Sequence, residues 1–295
     1  MSAAATPTFM SHNNSSSTSL ESPSDFMTDI FAEPSDFASA EPEPTYIDFH
    51  RTAAFVRPGE PQTINLRLVG KSPLWGHLLW NAGKLTTDYI DEHRDELVTG
   101  RNVLELGAAA ALPSLVAALS AKNVVVTDYP DPELIENIQY NTQNAGLSDK
   151  DVSKLKVKGY IWGNDVNDLL ALINDEESIP KEEKEDENTR TYTDDEKFDF
   201  LILSDLIFNH SEHLKLVATM DKALKPDGTA LVVFSPHRPK LYHKDLEFFD
   251  VAKKYANFEI VDKFQRDYMP MFEEDEETRE LRGKAFGYIL KRAKE

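Results

Sequence analysis

Hydrophobic positions follow two alternating patterns over most of the 295-residue chain. Short runs rich in β-branched residues are typical of buried strands, and they alternate with segments whose apolar residues recur every three or four positions, as in helices. The predicted strands are RNVLEL, NVVVTDY, KLKVKGYIW, FDFLILSD and TALVVFSP, and each precedes a predicted helix (LPSLVAALS, PELIENIQYNTQNAG, DVNDLLALIN, HLKLVATMDKALK and KDLEFFDVAKKYA). This alternation predicts an α/β fold, a parallel sheet with helices on both faces.

The C-terminal end breaks the alternation. Two predicted strands, FEIVDKF and AFGYILKR, are joined by a long acidic connection without a predicted helix. They most simply form an antiparallel pair at one side of the sheet, which gives seven strands with the last antiparallel. Residues 46–100 precede the sheet and contain a further predicted strand, TINLRLVG, followed by a segment that becomes helical.

The chain divides into a tail and one domain. Residues 1–45 are rich in Ser, Pro, Ala and Glu, and we predict a disordered acidic N-terminal tail. The domain is predicted to cover residues 46–295. The acidic run at 174–197 lies between a predicted helix and the fourth strand, so we predict an inserted loop there.

The net charge of −20 is confined to three segments. Residues 1–50, 174–197 and 273–280 carry −8, −7 and −5, so the remainder is formally neutral. These segments are solvated loops, or else an acidic collar that attracts a basic protein substrate. No clustered basic face is apparent in the sequence, which argues against a nucleic-acid partner.

Composition also narrows the function and the compartment. The chain has no cysteine, which excludes disulfides, thiolate metal sites and cysteine nucleophiles. No apolar run reaches the roughly 20 residues of a membrane-spanning helix, and the N-terminus does not have the pattern of a signal peptide. We therefore expect a cytoplasmic protein with no membrane partner.

The loop after the first predicted strand, in VLELGAAAALPS, indicates the kind of ligand. The strand ends through Glu105 into Gly107, Ala108 and Ala109, as in nucleotide-binding loops, but with one glycine. Loops that hold a pyrophosphate need several glycines. The loop therefore favours a nucleoside whose substituent is not a phosphate.

Further polar and aromatic residues follow the next strands, at the edge where open α/β sheets bind ligands. Asp128 comes about 20 residues after the glycine, the spacing of an acid that binds both ribose hydroxyls. Trp162 can pack on the base, although ordinary core packing is an alternative. Ser204 and Asp205 can contact ligand or cap the next helix. Glu105 suits a cationic ligand end, and S-adenosylmethionine fits the whole description.

Several long motifs carry a resemblance to a known family: INLRLVGKSPLWGHLLWNAGK, VLELGAAAALPS, VVVTDYPD, SDLIFNHSEH, VVFSPHRP and MFEEDEETRELRGKAFGYILKR. From about Tyr46 onward the chain resembles the seven-strand methyltransferases once labelled nicotinamide N-methyltransferase-like. Within them it resembles the fungal enzymes that methylate the N-terminal glycine and adjacent lysine of translation elongation factor 1-alpha.

The resemblance implies a fold, a cofactor and a substrate. The fold is a Rossmann-like seven-stranded methyltransferase sheet, the cofactor is S-adenosyl-L-methionine, and the protein substrate is elongation factor 1-alpha. The implied cofactor contacts are Trp80, Gly107, Ala108, Ala109, Asp128, Trp162 and Ser204. The wider superfamily often carries more glycine where this chain has Ala110 and Ala111, so we expect the backbone there to avoid positive φ.

The target-amine pocket is predicted at Asp205, Phe208 and His210. Related lysine methyltransferases carry an Asp-x-x-Tyr motif, and Phe208 stands where the tyrosine would be. Its ring can hold a cationic amine but offers no hydroxyl. His210 is a candidate proton acceptor or a solvent-facing histidine.

Other functions remain as alternatives. A small-molecule, nicotinamide-like N-methyltransferase and a non-catalytic interaction module share the predicted fold. A nucleic-acid methyltransferase is disfavoured because the Pro-Pro-aromatic motif is absent after the fourth strand. His210 and His213 stand three residues apart, but without HExxH or a third acidic ligand nearby in sequence we expect no metal.

Overall fold

The computed structural model describes residues 43–70, 76–174, 191–272 and 276–294. The predicted tail (1–45) lies outside these ranges except for its last three residues. Of the predicted insert (174–197), residues 175–190 also lie outside them.

Nine strands and nine helices of at least four residues form the described part of the chain. The strands are β1 (Thr45–His50), β2 (Thr63–Leu68), β3 (Asn102–Leu106), β4 (Asn123–Asp128), β5 (Leu155–Gly159), β6 (Phe198–Ser204), β7 (Leu224–Phe234), β8 (Phe258–Asp267) and β9 (Lys284–Arg292). The helices are α1 (Asn81–Glu92), α2 (Arg94–Leu97), α3 (Leu112–Ala118), α4 (Pro132–Asn144), α5 (Asp149–Val152), α6 (Asn167–Asn174), α7 (His213–Ala223), α8 (Tyr242–Ala256) and α9 (Arg279–Arg282).

The main sheet has seven strands in the order β5-β4-β3-β6-β7-β9-β8. Strands β3 to β7 pair in parallel, and β9 is antiparallel to both of its neighbours, β7 and β8. The predicted α/β fold with an antiparallel last strand is confirmed. The chain order reverses between β3 and β6, and open α/β sheets bind ligands at the carboxyl ends of the strands around such a reversal.

Helices cover both faces of this sheet, as the pattern predicted. Successive residues of β3 point to opposite faces, so Leu104 joins one apolar cluster with helices α6, α7 and α8. Val103 joins the other, with α1, α3 and α4. Every residue of β3 is buried, which places the β3 end firmly at the centre of the fold.

Two local elements differ from the sequence-based expectation. Strand β1 was not predicted, and it pairs antiparallel with the predicted β2 as a separate two-stranded sheet. The buried face of β2 packs on α3. The connection between β8 and β9 includes the single-turn helix α9, where no helix was expected because four residues are too few to show a period.

A buried ion-pair cluster ties the β1–β2 connection to α1 and α2. The Arg51 guanidinium donates to both carboxylate oxygens of Asp91, at 2.9 and 2.8 Å, and to Glu60 at 2.9 Å. Arg94 binds the same two acids. The Arg51 and Asp91 side chains are 0% and 3% exposed. Removing one member of such a cluster leaves buried charge without compensation.

We therefore expect Asp91→Ala to lower the free energy of unfolding by about 3 kcal/mol or more. The matched control is Asp95→Ala, because Asp95 pairs with Arg57 at the surface, where the two side chains are 72% and 45% exposed. The control should change stability little, since solvent screens that pair. Urea denaturation of both variants measures the difference, and equal losses would contradict a structural role for the buried cluster.

Candidate active site

The loop after β3 turns tightly at Gly107. Its φ is +63°, in the left-handed region that favours glycine. A Cβ at this position would lie 2.5 Å from Cδ2 of Leu206 and 3.4 Å from the Trp162 ring. The loop after β3, the segment after β6 and the segment after β5 therefore meet at Gly107, where the positive φ disfavours other residues.

The expectation that the alanines avoid positive φ is wrong at Ala111, where φ is +63°, and Ala109 is also left-handed at +49°. This conformation costs an alanine roughly 1–2 kcal/mol. Hydrogen bonds hold it in place: Ala111 N donates to the Ala108 carbonyl at 2.7 Å, and Asn141 Nδ2 donates to the Ala110 carbonyl at 3.0 Å. Hydrogen bonds within the loop and from Asn141 thus stabilise a backbone conformation that glycine would adopt without strain.

Asp128, the predicted ribose acid, stands at the end of β4 and organises this loop. Its Oδ2 accepts a hydrogen bond from Ala109 N and its Oδ1 one from Tyr129 N, both at 2.7 Å. Each carboxylate oxygen has a second lone pair, so a diol can still bind. Burial raises the pKa of Asp128. The N-cap of α4 is instead Asp131, whose side chain accepts from Leu134 N, so Asp128 is not needed as a helix cap.

Glu105 is almost completely buried, at 1% exposure. Its carboxyl group accepts hydrogen bonds from both the backbone N and the Oγ of Ser114, in the first turn of α3. Burial, and more weakly the nearby Asp128, raise its pKa to about 8 against the opposing effect of the Ser114 hydrogen bonds. The side chain is thus mainly protonated at neutral pH. A cationic ligand close by would lower this pKa, and the predicted contact with such a ligand stays a prediction.

Two other predicted cofactor residues lie at the ends of their strands. Trp162, after β5, is half-buried, and its ring faces Gly107. Ser204 ends β6, and its Oγ lies 3.1 Å from Oγ1 of Thr86 in α1. Ala108 is buried, and its N–H donates to the Thr127 carbonyl at 3.0 Å.

Asp205, directly after β6, lies at the centre of a second group of residues. It is 7% exposed with φ at +59°, a strained conformation for a non-glycine residue. Its Oδ2 lies 2.8 Å from Nε2 of His237, and its Oδ1 accepts from Ser235 N at 3.2 Å. Burial lowers the pKa of His237, but the Asp205 carboxylate outweighs burial and holds this pKa above its ordinary value.

Two aromatic rings lie beside His237. The Trp80 ring lies 4.7 Å from the His237 ring and 5.9 Å from the Phe272 ring, centroid to centroid, in edge-to-face contacts. We call Trp80, Asp205, His237 and Phe272 the amine pocket. Trp80 was predicted as a cofactor contact, and this stays a prediction; its ring also contacts His237 and Phe272.

His237 and Phe272 were missed by the sequence reasoning. The available signal for His237 was its position in the motif SPHRP, because the motif follows β7 and therefore reaches the same edge of the sheet as Asp205. Phe272 carries no such signal, since it lies in the connection between β8 and β9, whose path depends on tertiary contacts.

Of the other two predicted amine-pocket residues, His210 has a different acid as its partner. His210 Nε2 lies 2.7 Å from Oδ1 of Asp245 in α8, not from Asp205. Phe208 is half-buried, and its carbonyl accepts from Arg238 at 2.6 Å. His213 is buried, and its Nε2 lies 2.7 Å from the Ile207 carbonyl. In the described ranges no three acidic or histidine side chains are grouped as metal ligands, and no helix there is long and apolar enough to cross a bilayer.

Comparisons with known proteins identify the class. A family model described as lysine methyltransferase matches residues 64–176. Protein N-terminal and lysine N-methyltransferase EFM7 of Yarrowia lipolytica is 46% identical over 278 residues, 88% of this chain and 94% of the relative. The protein of the same name from Debaryomyces hansenii is 48% identical over 266 residues, 89% of this chain and 95% of the relative. A solved structure of a putative SAM-dependent methyltransferase from Streptococcus mutans is 12% identical with a TM-score of 0.49, covering 86% of this chain and 57% of that one.

The chain is therefore a methyltransferase. It belongs to the family of protein N-terminal and lysine N-methyltransferases, as the motifs predicted.

The raised pKa of Glu105 predicts a pH-dependent stability. The folded-state pKa of about 8 exceeds the ordinary value of 4.5, so the contribution to stability is complete below about pH 4.5 and is lost as pH rises through about 8. Glu105→Gln keeps an acceptor for Ser114 without the ionisation. Relative to wild type, the variant should gain about 1 kcal/mol per pH unit between pH 5 and 8. Denaturation at several pH values measures this, and parallel curves would contradict it.

Proposed function

We propose that this protein transfers methyl groups from S-adenosyl-L-methionine to the N-terminal glycine and adjacent lysine of translation elongation factor 1-alpha, in the cytoplasm. The names of the relatives support a protein substrate with both kinds of amine. The motifs described above support the elongation factor as that substrate.

One contact carries the proposal: Leu206 packs against Gly107. Leu206 follows Asp205 of the amine pocket, and Gly107 belongs to the loop that Asp128 organises. This contact supports the proposal because it brings the residues proposed for the donor and for the amine to one edge of the sheet. Proximity of donor and acceptor is the main requirement of an in-line displacement, because holding two reactants in register removes most of the entropic cost.

The residues around the loop fit S-adenosylmethionine. Asp128 offers two oxygens with free lone pairs to a ribose diol, and Trp162 offers an apolar ring beside Gly107 for the base. Ala108 and Ala109 place small side chains beside the proposed cofactor, without the glycines of a phosphate site. Contact between Glu105 and the cationic end stays a prediction. Ser204 completes the predicted set. When bound, the cofactor supplies a methyl group activated by its sulfonium.

The amine pocket fits a target that arrives as a cation. Asp205 supplies the negative charge, and the faces of Trp80 and Phe272 attract an ammonium group. The Phe208 ring adds no hydroxyl, so the charge of Asp205 matters more here than in an Asp-x-x-Tyr site. The amine must lose a proton before it attacks, and this is easier for an α-amine, with a pKa of about 7.7 to 8.0, than for lysine at about 10.4.

The cofactor half of the site is tested by Asp128→Ala. We expect this change to weaken S-adenosylmethionine binding by about 2 to 3 kcal/mol, because both ribose hydroxyls lose a charged acceptor. The matched control is Asp131→Ala, which removes the N-cap of the next helix and should cost roughly 1 kcal/mol of stability with affinity unchanged. Calorimetric titration of S-adenosylmethionine into both folded variants measures the two affinities. If Asp128→Ala and Asp131→Ala bind the cofactor equally well, the ribose does not bind at Asp128.

The substrate is tested by methyl transfer to defined acceptors. The protein and labelled S-adenosylmethionine are incubated with a peptide beginning Gly-Lys, the same peptide with an acetylated N-terminus, nicotinamide, and RNA. We expect label on the first peptide at both amines and on the second at lysine alone, located by mass spectrometry. Asp205→Asn should reduce transfer by about 10²-fold or more, because the cationic amine loses its counter-charge. Label confined to nicotinamide or RNA would replace the proposal by a small-molecule or nucleic-acid enzyme.

A further inference from the structure

Ser235 carries a buried hydroxyl group without a hydrogen-bond partner. The residue is 2% exposed and follows β7 directly, and its Oγ bonds no atom among the described residues. An unbonded buried hydroxyl is costly, and each such group in a native protein calls for an explanation. A ligand that donates a hydrogen bond when it enters would supply the missing partner.

The turn that contains Ser235 and His237 is held in place by the carboxylate of Asp205. Ser235 N donates to Oδ1 of Asp205 at 3.2 Å, and His237 Nε2 lies 2.8 Å from Oδ2. His237 N donates to the Ser235 carbonyl at 2.8 Å, which closes the turn. Asp205, Ser235 and His237 are therefore held together by three hydrogen bonds that do not depend on any ligand.

The hydrogen bond to Asp205 also sets the tautomer of His237. An ionised carboxylate only accepts, so the proton of neutral His237 resides on Nε2. The second ring nitrogen, Nδ1, then carries a lone pair, and across the described ranges it bonds no protein atom. Histidines with one nitrogen held by a carboxylate and the other free are suited to accept a proton.

We propose that Ser235 and His237 complete the amine pocket: Ser235 Oγ accepts a hydrogen bond from the target ammonium, and His237 Nδ1 takes one of its protons. This assignment rests on the proposed function. It adds a proton acceptor to the pocket. The Phe208 side chain has no group that accepts a proton, and His210 is bound to Asp245 instead. The substrate class is a primary amine that binds as a cation at Asp205, beside the rings of Trp80 and Phe272.

The step balances in atoms and charge. The ammonium loses one proton to Nδ1, and the imidazolium that forms remains paired with Asp205. The neutral nitrogen then uses its lone pair to form the new N–C bond, while the S–C bond of the donor breaks and its electron pair stays on sulfur. His237 returns its proton to solvent before the next turnover.

The charged groups facing His237 favour this role. Burial lowers the pKa of His237, whereas Asp205, and more weakly Asp245 from α8, raise it, and Arg238 lowers it. Trp80 and Phe272 are uncharged. The net result is a pKa above the ordinary 6.5, which makes His237 a stronger base that is neutral only above that raised pKa.

The pH dependence of kcat on two peptides tests His237. One peptide offers only an α-amine and the other, N-acetylated, offers only a lysine. If His237 takes the proton, both wild-type profiles rise with one shared midpoint, because the titrating group belongs to the enzyme. In His237→Gln each profile should instead follow its own amine, flattening near pH 8 for the α-amine and still rising at pH 9.5 for lysine. The expected loss of kcat at pH 7 is about 10²-fold or more.

An independent readout is the pKa of His237 itself. NMR titration of its imidazole proton, assigned by loss of the signal in His237→Gln, should give the midpoint of the wild-type rate profile. The matched control is His243→Gln, an exposed histidine in the first turn of α8, which should leave both quantities unchanged. Wild-type midpoints that differ between the peptides, or that depart from the NMR pKa, would overturn the assignment of His237.

Ser235→Ala tests the hydroxyl. A hydroxyl that is merely unbonded can be removed with stability retained or increased and kinetics unchanged. An acceptor for the amine behaves differently, and we expect KM for both peptides to rise about 10-fold while the melting temperature does not fall. Unchanged KM would remove Ser235 from the pocket. Failure of the wild-type protein to methylate either peptide would instead refute the proposed function.

Discussion

The contact between Gly107 and Leu206 is the constraint on which the site depends. It joins the loop after β3 to the segment after β6, the two strands between which the chain order of the sheet reverses. Gly107 has a φ of +63°, in the region that favours glycine, and the Leu206 side chain packs against it. Because Asp205 precedes Leu206, the same contact brings Asp205 and the loop after β3 to one edge of the sheet.

Two carboxylates then arrange the backbone on either side of that contact. Asp128 holds the alanine loop through Ala109 N, and Asp205 holds the turn after β7 through Ser235 N. In each case an acid suited to a ligand also bonds a main-chain N–H, which fixes its orientation before any ligand arrives. Preorganised charge of this kind needs little rearrangement during the reaction. It also explains how left-handed alanine is tolerated in the loop, since the bond to Asp128 offsets part of its strain.

The sequence predicted what depends on local patterns. Alternating apolar runs predicted all the main-sheet strands. Strand-end spacing predicted that Asp128 lies at the edge beside the Gly107 loop, because a parallel sheet brings strand ends to one edge, and its contact with ribose stays a prediction. Features set by tertiary contact were harder to predict. Strand β1 has few buried residues to form a pattern, and the positive φ of Ala111 arises from hydrogen bonds made by distant residues. His210 was expected beside Asp205, yet α8 provides Asp245 as its partner, and His237 from another strand end takes that place.

The central claim is that the donor and the amine occupy adjacent halves of one crevice joined at Gly107. The most direct measurement is the affinity of a bisubstrate analogue, in which the N-terminal nitrogen of a Gly-Lys peptide is linked covalently to the adenosyl half of the cofactor. If the halves adjoin, the linked compound should bind at least about 10²-fold more tightly than either part alone. Affinity no greater than that of the adenosyl half would show that the two sites cannot be filled together, and would contradict the account.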